Sequence, residues 1–487
     1  MNTKIEKTTE QKEIISTYLE GEDIIVEAFA GCTKSFTCQA IARAKATEVL
    51  YLAFNTSIRQ EAKLVFPEWA TCHTIHSLAW GYIVRGTAYK NKLGGFLLNQ
   101  EIKTSLKDFL VDLDSETIYF TCANVVELVE MFCRSASFDI SLFISDYILD
   151  RPEYTEDFNW VALGEKLWTD LINKKNPIKI THDIYLKLFQ LSKPDLSKEY
   201  KVILLDEMQD SNPVTLDIFY RQQGKVQLIG VGDDFQAIYA WRGADKAMKN
   251  IPETFTKKSL TWNFRFNQDL ADQANIILNY MGATKGITGK GTQTEINSKA
   301  VLVRNNSTLF NYLLQAATNN QKVFAIAELK ELFNQMYTAN SLLYCKKGEK
   351  PKFGPFPHKK IASYSSWKEL CSDKSPDIQK IAKLVSNCQP TVHEAITKAK
   401  SCLVDSEELA DLTIVTGHKS KGREWDEITL TNDFLPYVSE EETMEEKLEE
   451  FIKGQGMNLA YVAITRARVK VNLTPEWEYF LNLLKTI

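Results

Sequence analysis

The sequence VILLDEMQDSNP, residues 202–213, decides the fold of this chain. It opens with a run of four apolar residues, Val202–Leu205, that is short and β-branched enough to predict a buried strand of a parallel sheet. The run ends on Asp206 and Glu207, and because charges are costly inside a sheet, we expect these carboxylates at the carboxyl end of the strand. Open α/β sheets bind ligands at that end. An adjacent carboxylate pair there suits metal–phosphate chemistry, in which one carboxylate holds Mg²⁺ and the other takes a proton from water.

A bare Asp-Glu pair is also typical of a solvated acidic turn, so its neighbours decide between the two interpretations. Upstream, residues 24–26 (IIV) predict a strand that runs into EAFAGCTKS at 27–35 and then into a helix through Ala44. A strand, a loop of small residues, Lys-Ser and a helix form the arrangement of a phosphate loop. Its backbone N–H groups hold phosphate, Lys34 reaches the β and γ oxygens, and the Ser35 hydroxyl ligates Mg²⁺.

The match to a phosphate loop is imperfect at two positions. The usual pattern has glycine where this chain has Ala28 and Thr33. Glycine serves where backbone approaches a ligand closely, so Thr33 is expected to narrow the loop or weaken nucleotide binding. The loop residues expected to surround the phosphates are Ala30, Gly31, Cys32 and Thr33.

Two further segments carry polar or aromatic side chains beside predicted strands. His73 and His76 form an H-x-x-H pair, but no Cys or carboxylate completes a metal set, so we favour phosphate contacts by this Thr/His/Ser cluster. After a predicted strand at 226–231, Gln236 is placed to sense a γ-phosphate or a water molecule. The segment 239–242 (YAWR) suits base stacking on single-stranded nucleic acid, although a core Tyr and Trp is the alternative.

Composition limits the class of protein. A chain of 487 residues is too long for one core, so two or more domains are expected. The net charge of −5 means that any nucleic-acid binding must use a local basic channel. The nine cysteines form no C-x-x-C pair, which argues against a zinc ribbon or a disulfide framework. No run approaches the roughly 18 apolar residues of a membrane span, so we expect a soluble, intracellular, cytoplasmic chain.

In chain order the sequence carries AFAGCTKS, LAFN, TIHSLAW, LLDEMQD, GDDFQAIYAWRGA, NFRF, TGHKSKGREWD and LAYVAITRAR. Together these motifs resemble those of superfamily 1 DNA helicases of the UvrD, Rep and PcrA kind, over nearly the whole chain. The EWD ending and the stretch THDIYLKLFQLSKP look closer to the F-box DNA helicases and their small bacterial or phage relatives.

The resemblance implies ATP and Mg²⁺ as cofactors and a role for each matching residue. At the ATP site it implies that Gln11 reads the adenine edge, that Phe264 stacks on adenine and that Glu424 contacts the ribose. Lys34 and Ser35 would hold phosphate and Mg²⁺, Asp206 would coordinate the metal, and Glu207 would be the general base. Gln236 would couple the γ-phosphate to the DNA site, and Arg265 and Arg466 would stabilise transition-state charge. For DNA the matching residues are Phe54, Tyr239 and Trp241 as base-stacking residues and Asn55, His76, Arg242, Thr416 and His418 as strand contacts.

The implied fold is α/β, with two RecA-like domains that have parallel sheets and each carry a mostly helical insertion. The first motor domain is expected at 1–84 and 191–258, interrupted by a helical insertion at 85–190. The second is expected at 259–339 and 401–487, interrupted by a short insertion at 340–400 that contains the basic, aromatic stretch 346–360. That stretch is expected either to contact DNA or to form a solvated loop, and the glycine-rich segment 282–292 is expected to be a mobile surface turn.

The predicted activity is ATP-dependent translocation on single-stranded DNA with duplex unwinding, in the 3′–5′ direction if the family applies. The expected partners are single-stranded DNA and its junctions with duplex, together with a nuclease, replication or repair factor. We expect an isolated monomer without membrane association, working near the nucleoid of a bacterial or phage-infected cell. Two alternatives remain open: a DNA-sensing NTPase subunit of a nuclease or defence complex, and a single-strand binding protein with an inactive ATP site.

Overall fold

The computed structural model describes residues 6–94, 97, 99–239, 247–346, 349–355, 357–373, 376–388, 391–436 and 443–486. The chain divides into two compact units, Met1–Thr261 and Trp262–Ile487. We refer to them as unit 1 and unit 2. Among the described residues, no helix combines the length and apolar character needed to cross a membrane.

Unit 1 contains a parallel sheet. Its strands are β1 (Ile24–Ala28), β2 (Val49–Ala53), β3 (Ala70–Thr74), β4 (Val202–Leu205), β5 (Gln227–Gly232) and β6 (Thr256–Leu260). They pair in the order β3-β2-β4-β5-β1-β6, and every pairing is parallel. All four residues of β4 are buried, as expected for a sheet that is covered on both faces. The loops that follow β1, β4 and β5 therefore leave the same edge of the sheet.

The helices of unit 1 fall into two groups. Those that follow or flank the sheet strands are α1 (Thr9–Leu19), α2 (Lys34–Ala44), α3 (Thr56–Val65), α4 (Ile75–Ile83) and α10 (Pro213–Tyr220). Those between α4 and β4 are α5 (Asn99–Ser105), α6 (Ser115–Arg134), α7 (Ile140–Ile148), α8 (Trp160–Ile172) and α9 (His182–Leu191). Both groups contribute to one hydrophobic core that continues onto one face of the sheet. The described residues between α4 and β4 contain no strand. One isolated β-bridge pairs Leu93 with Ile180.

In this helical region, two buried lysines donate hydrogen bonds to backbone carbonyl groups that lie just past the ends of helices. Lys187 of α9 is fully buried, and its Nζ donates to the carbonyl oxygens of Ser135 (3.0 Å) and Ser137 and to Oε1 of Gln190 (2.7 Å). Those carbonyls lie just past α6, where a helix leaves its last C=O groups without internal donors. Lys92 binds the carbonyl oxygens that follow α8 in the same way. Each lysine therefore ties a helix end to a distant segment.

Lys187→Met is expected to lower the free energy of unfolding by about 2–4 kcal/mol, because methionine fills the space and leaves buried acceptors without a donor. Urea denaturation of the two proteins measures the difference. Lys175→Met changes an exposed lysine in the same region and should stay within about 0.5 kcal/mol of the wild type. Equal stability of both variants would show that the contacts of Lys187 contribute nothing.

Unit 2 contains a second parallel sheet. Its strands are β9 (Lys299–Val303), β10 (Val323–Ile326), β11 (Leu412–Thr416), β12 (Trp425–Leu430) and β13 (Ala467–Asn472). They pair in the order β10-β11-β9-β12-β13. A short parallel pair joins β7 (Trp262–Asn263) to β8 (Thr288–Gly289). The predicted α/β class with parallel sheets is therefore confirmed.

The helices of unit 2 fall into two groups, according to whether they lie between β10 and β11 in the chain. Those outside that stretch are α11 (Gln268–Tyr280), α12 (Asn306–Thr318), α18 (Gly417–Ser420), α19 (Met444–Lys453), α20 (Gly456–Ile464) and α21 (Pro475–Thr486). Those between β10 and β11 are α13 (Leu329–Leu343), α14 (Lys359–Ala362), α15 (Trp367–Ser372), α16 (Pro376–Ser386) and α17 (Val392–Ser401). The second group packs with α12 and sheet residues in a separate hydrophobic core.

Two sequence-based expectations differ from the structure in this unit. The division between units falls after Thr261, three residues beyond the expected end at 258, because β6 pairs with β1 of the first sheet. The glycine-rich segment is not a detached turn. Gly289 pairs in β8, Lys290 N donates to Asn263 O at 2.7 Å, and Gly291 N donates to Phe266 O at 2.9 Å. The glycine-rich segment is thus hydrogen-bonded to the backbone on both sides of Arg265.

Candidate nucleotide and nucleic-acid sites

The predicted phosphate loop connects β1 to α2 in unit 1. Gly31 and Thr33 both have positive φ, at 72° and 58°, and α2 begins at Lys34. Lys34 Nζ lies 3.3 Å from the carbonyl oxygen of Ala28, so it folds back over the loop. Ser35 is exposed in the first turn of α2, where helix N–H groups lack internal acceptors. This geometry suits the capture of an anion at the start of α2.

The two carboxylates stand at the end of β4, as predicted. Asp206 is 3% exposed; one carboxylate oxygen accepts the backbone N–H of Glu207 at 2.9 Å, and the other accepts the hydroxyl of Tyr51 at 2.5 Å. Oε1 of Glu207 lies 4.0 Å from Lys34 Nζ. The structure therefore brings Lys34, Asp206 and Glu207 together at one edge of the sheet. Glu207 has φ of 50°, in the left-handed region that side chains rarely adopt.

Burial is the main influence on the protonation of Asp206. It raises the pKa of this carboxyl, and the nearby Glu207 charge raises it further, whereas the Tyr51 hydrogen bond and Lys34 oppose the rise. Burial and then Asp206 also raise the pKa of Tyr51, so that its hydroxyl stays protonated as a donor. Tyr51 thus helps to keep Asp206 ionised and fixes its orientation.

A buried amide connects this carboxylate pair to the end of β5, and our sequence interpretation gave it no role. Gln209 is fully buried; its Nε2 donates to Glu207 Oε2 at 2.6 Å, and its Oε1 accepts the backbone N–H of Asp233 at 2.9 Å. Asp233 Oδ2 in turn accepts Gln236 Nε2 at 2.6 Å. A Cβ on Gly232 would lie 2.6 Å from Gln209 Oε1, which explains the glycine there. The chain of bonds joins Glu207 to Gln236.

If Asp206 holds Mg²⁺, as the resemblance implies, Tyr51→Phe should raise the Mg²⁺ concentration needed for half-maximal ATP hydrolysis by about tenfold, the usual order of effect when the partner of a ligating carboxylate is lost. Because the variant removes a group that lowers the pKa of Asp206, the acid limb of the pH–rate profile should move to higher pH. Mg²⁺ titrations at several pH values test both effects. Tyr18→Phe is the control, since the buried Tyr18 hydroxyl has no hydrogen-bond partner among the described residues. Identical Mg²⁺ and pH dependence of both variants would rule out this role.

Gln11, assigned to the adenine edge, is only 2% exposed. Its Nε2 donates to the hydroxyl oxygens of Thr33 (2.9 Å) and Thr37 (3.3 Å), and its Oε1 accepts the Thr8 N–H (3.0 Å). The side chain therefore contacts the phosphate loop directly.

The candidate DNA residues of unit 1 lie beyond β2 and β5 and on α4. The Phe54 and Tyr239 rings stack with centroids 5.7 Å apart. The Asn55 side chain caps α3 by accepting the Ile58 N–H. His76 lies 3.3 Å from the carboxylate of Asp183. Trp241 and Arg242 lie outside the described residues.

The two candidate arginines of unit 2 both contact Thr465. Arg265 donates to Thr465 O at 3.0 Å and pairs with Glu424 at 2.5 Å. Arg466 is 2% exposed, and its guanidinium donates to the Thr465 hydroxyl (3.1 Å) and to backbone carbonyls, including that of Val462 (2.8 Å). Both arginines are therefore held by the same turn. Positions that are more open in this unit are Phe264 (47% exposed), half-buried Thr416 and exposed His418.

Comparison with known proteins identifies two family models and several relatives. Residues 168–258 match the UvrD/REP helicase N-terminal domain, and residues 327–475 match the UvrD-like helicase C-terminal domain. F-box DNA helicase protein 1 of Schizosaccharomyces pombe is 26% identical over 96% of this chain and 57% of its own length. F-box DNA helicase 1 of Gallus gallus is 28% identical over 99% and 50%. DNA helicase IV of Escherichia coli is 24% identical over 66% and 40%.

This chain spans about half the length of the F-box relatives that it matches. Its phosphate loop lies before the first residue matched by either family model. The assignment of Lys34 and Ser35 to a phosphate loop therefore rests on the geometry of the segment between β1 and α2.

Proposed function

We propose that this chain, which matches the N- and C-terminal domains of UvrD-like helicases, is a DNA-dependent ATPase that translocates on single-stranded DNA in the 3′–5′ direction and unwinds duplex. The observation that carries this proposal is the convergence of Lys34, Asp206, Glu207 and Gln236 at the edge of one parallel sheet. Hydrolysis of a nucleoside triphosphate needs positioning and charge stabilisation more than covalent chemistry, and these residue types supply both.

We assign a role to each of these unit 1 residues, and their contacts support the assignments. Lys34 exchanges the Ala28 carbonyl for phosphate oxygens, and Glu207 accepts the proton of the attacking water while Gln209 holds its other oxygen. Mg²⁺ would neutralise phosphate charge when bound, and the Ser35 hydroxyl and Asp206 carboxylate are oxygen donors of the kind that it prefers. Gln236 couples the occupancy of the phosphate site to the position of Tyr239, three residues along the chain.

Unit 2 is proposed to supply positive charge to the transition state through Arg265 and Arg466. The bond from Arg265 to Thr465 O and that from Arg466 to the Thr465 hydroxyl support a common response of both guanidinium groups. Since Arg466 is bound to carbonyl groups of its own unit, its participation requires that these bonds be exchanged. Glu424, which pairs with Arg265, would hold that arginine until nucleotide arrives.

Steady-state ATP hydrolysis with and without single-stranded DNA tests the proposal. We expect strong stimulation by DNA and a loss of about 10²-fold or more in Lys34→Ala, because the lysine stabilises charge on the transferred phosphoryl group. Unwinding of duplexes that carry a 3′ or a 5′ single-stranded tail then tests direction. Unstimulated hydrolysis, or the same rate in Lys34→Ala, would contradict the proposed motor.

A further inference from the structure

The most unusual feature of the phosphate loop is the residue that precedes Lys34. Thr33 has φ of 58° and ψ of 37°, in the left-handed region where β-branched side chains are genuine outliers. Glycine adopts this backbone without strain, and Thr does not. The loop therefore needs a contact that holds Thr33 in place.

The Gln11 side chain supplies that contact. Its Nε2 lies 2.9 Å from Thr33 Oγ1 and 3.3 Å from Thr37 Oγ1, so both amide hydrogens have an acceptor. Its Oε1 accepts the Thr8 N–H as part of the capping box that begins α1. The amide is thus fixed from three sides and links α1 to the loop. Its 2% exposure leaves little surface for direct contact with a base.

We propose that the Gln11–Thr33 hydrogen bond is a brace that holds the phosphate loop in its phosphate-binding shape. Thr33 is then a positioning residue, and its hydroxyl provides an anchor that a glycine at this position lacks. Gln11 acts on the nucleotide through the loop, so its contribution to binding is the same whatever the base. This inference rests on the proposed binding of a nucleoside triphosphate at Lys34, and it deepens that proposal.

Equilibrium binding of ATP, GTP and inorganic tripolyphosphate, each with Mg²⁺ and without DNA, tests the brace. Thr33→Val keeps the branched shape and removes the hydroxyl; Gln11→Ala removes the amide. Both variants lose the hydrogen bond between Gln11 and Thr33, and each should weaken all three ligands by a similar factor of about five to ten, the range expected when one such bond is lost. Thr33→Ser keeps the hydroxyl and should restore binding. Thr17→Val serves as the control, because it removes a hydroxyl that donates to Glu13 O within α1.

Two results would overturn the inference. One is a Gln11→Ala protein that loses affinity for ATP but binds tripolyphosphate like the wild type, since Gln11 would then act on the base alone. The other is unchanged binding in Thr33→Val.

Hydrogen–deuterium exchange of the loop amides without ligand gives an independent measurement. We expect several-fold faster exchange at residues 30–34 in Thr33→Val and Gln11→Ala, and wild-type exchange in Thr33→Ser; unchanged exchange in the first two variants would refute the brace. A wild-type chain that binds no triphosphate would refute the proposed ATPase, and the exchange experiment would still decide on the brace.

Discussion

Glu207→Gln is expected to slow ATP hydrolysis by about 10²–10⁴-fold, the contribution of a positioned general base, while ATP and DNA binding persist. The substitution keeps the size of the side chain. It also keeps an oxygen at the position of Oε2, which accepts the hydrogen bond from Gln209 Nε2. It removes the negative charge beside Lys34 and the capacity to take a proton from water. The loss should therefore fall on kcat and leave the affinity for nucleotide nearly unchanged.

Rapid-quench hydrolysis and equilibrium nucleotide binding on the same preparations separate these quantities. Glu48→Gln is the matched control, because Glu48 is an exposed glutamate of the same unit that lies beside the start of β4, at the opposite edge of the sheet from Glu207. Robust turnover by Glu207→Gln would assign proton removal to another group. A parallel fall in nucleotide affinity would instead indicate that Glu207 supports the loop through Lys34.

Strands β1, β4 and β5 and the carboxylates Asp206 and Glu207 were predictable because the sequence pattern that indicates them is local. A buried parallel strand has to be a short apolar run, and the charges that end it have to lie at the sheet edge. The sequence therefore predicted β4 and the adjacent Asp206 and Glu207. Strand ends differed by a residue or so, as for β5, expected at 226–231 and found at Gln227–Gly232.

The contacts that orient the site were not predictable, since they join residues far apart in the chain. Tyr51 lies within an apolar strand and gave no polar signal, yet its hydroxyl meets Asp206 across 155 positions. Gln209 stood inside the quoted motif, but only the structure shows that its amide spans from Glu207 to the Asp233 N–H. Thr33 was identified as a departure from the phosphate-loop pattern, whereas its bond to Gln11 depends on how α1 packs against α2.

Gly289→Ala is expected to lower the melting temperature by roughly 5–10 °C, because overpacking that cannot relax costs about 1–3 kcal/mol. A Cβ at this position would lie 2.3 Å from the carbonyl carbon and oxygen of Asn267, and backbone atoms cannot turn aside as a flexible side chain would. Two backbone hydrogen bonds, from Lys290 to Asn263 and from Gly291 to Phe266, would transmit a shift of this segment to the residues on either side of Arg265. We therefore also expect at least a tenfold loss of DNA-stimulated ATP hydrolysis in the protein that remains folded.

Thermal melting by circular dichroism, followed by ATPase assays well below the transition, separates the two effects of this substitution. Gly354→Ala is the control, because a Cβ there meets no atom within 4 Å in a described loop of the same unit. If Gly289→Ala melts and hydrolyses ATP like Gly354→Ala, the glycine-rich segment does not position Arg265. If it melts early but retains full hydrolysis at low temperature, the segment stabilises unit 2 without shaping the arginine site. A loss of both properties would support the close packing of Gly289 against the Asn267 backbone as a support of Arg265, because only a residue without a Cβ fits there.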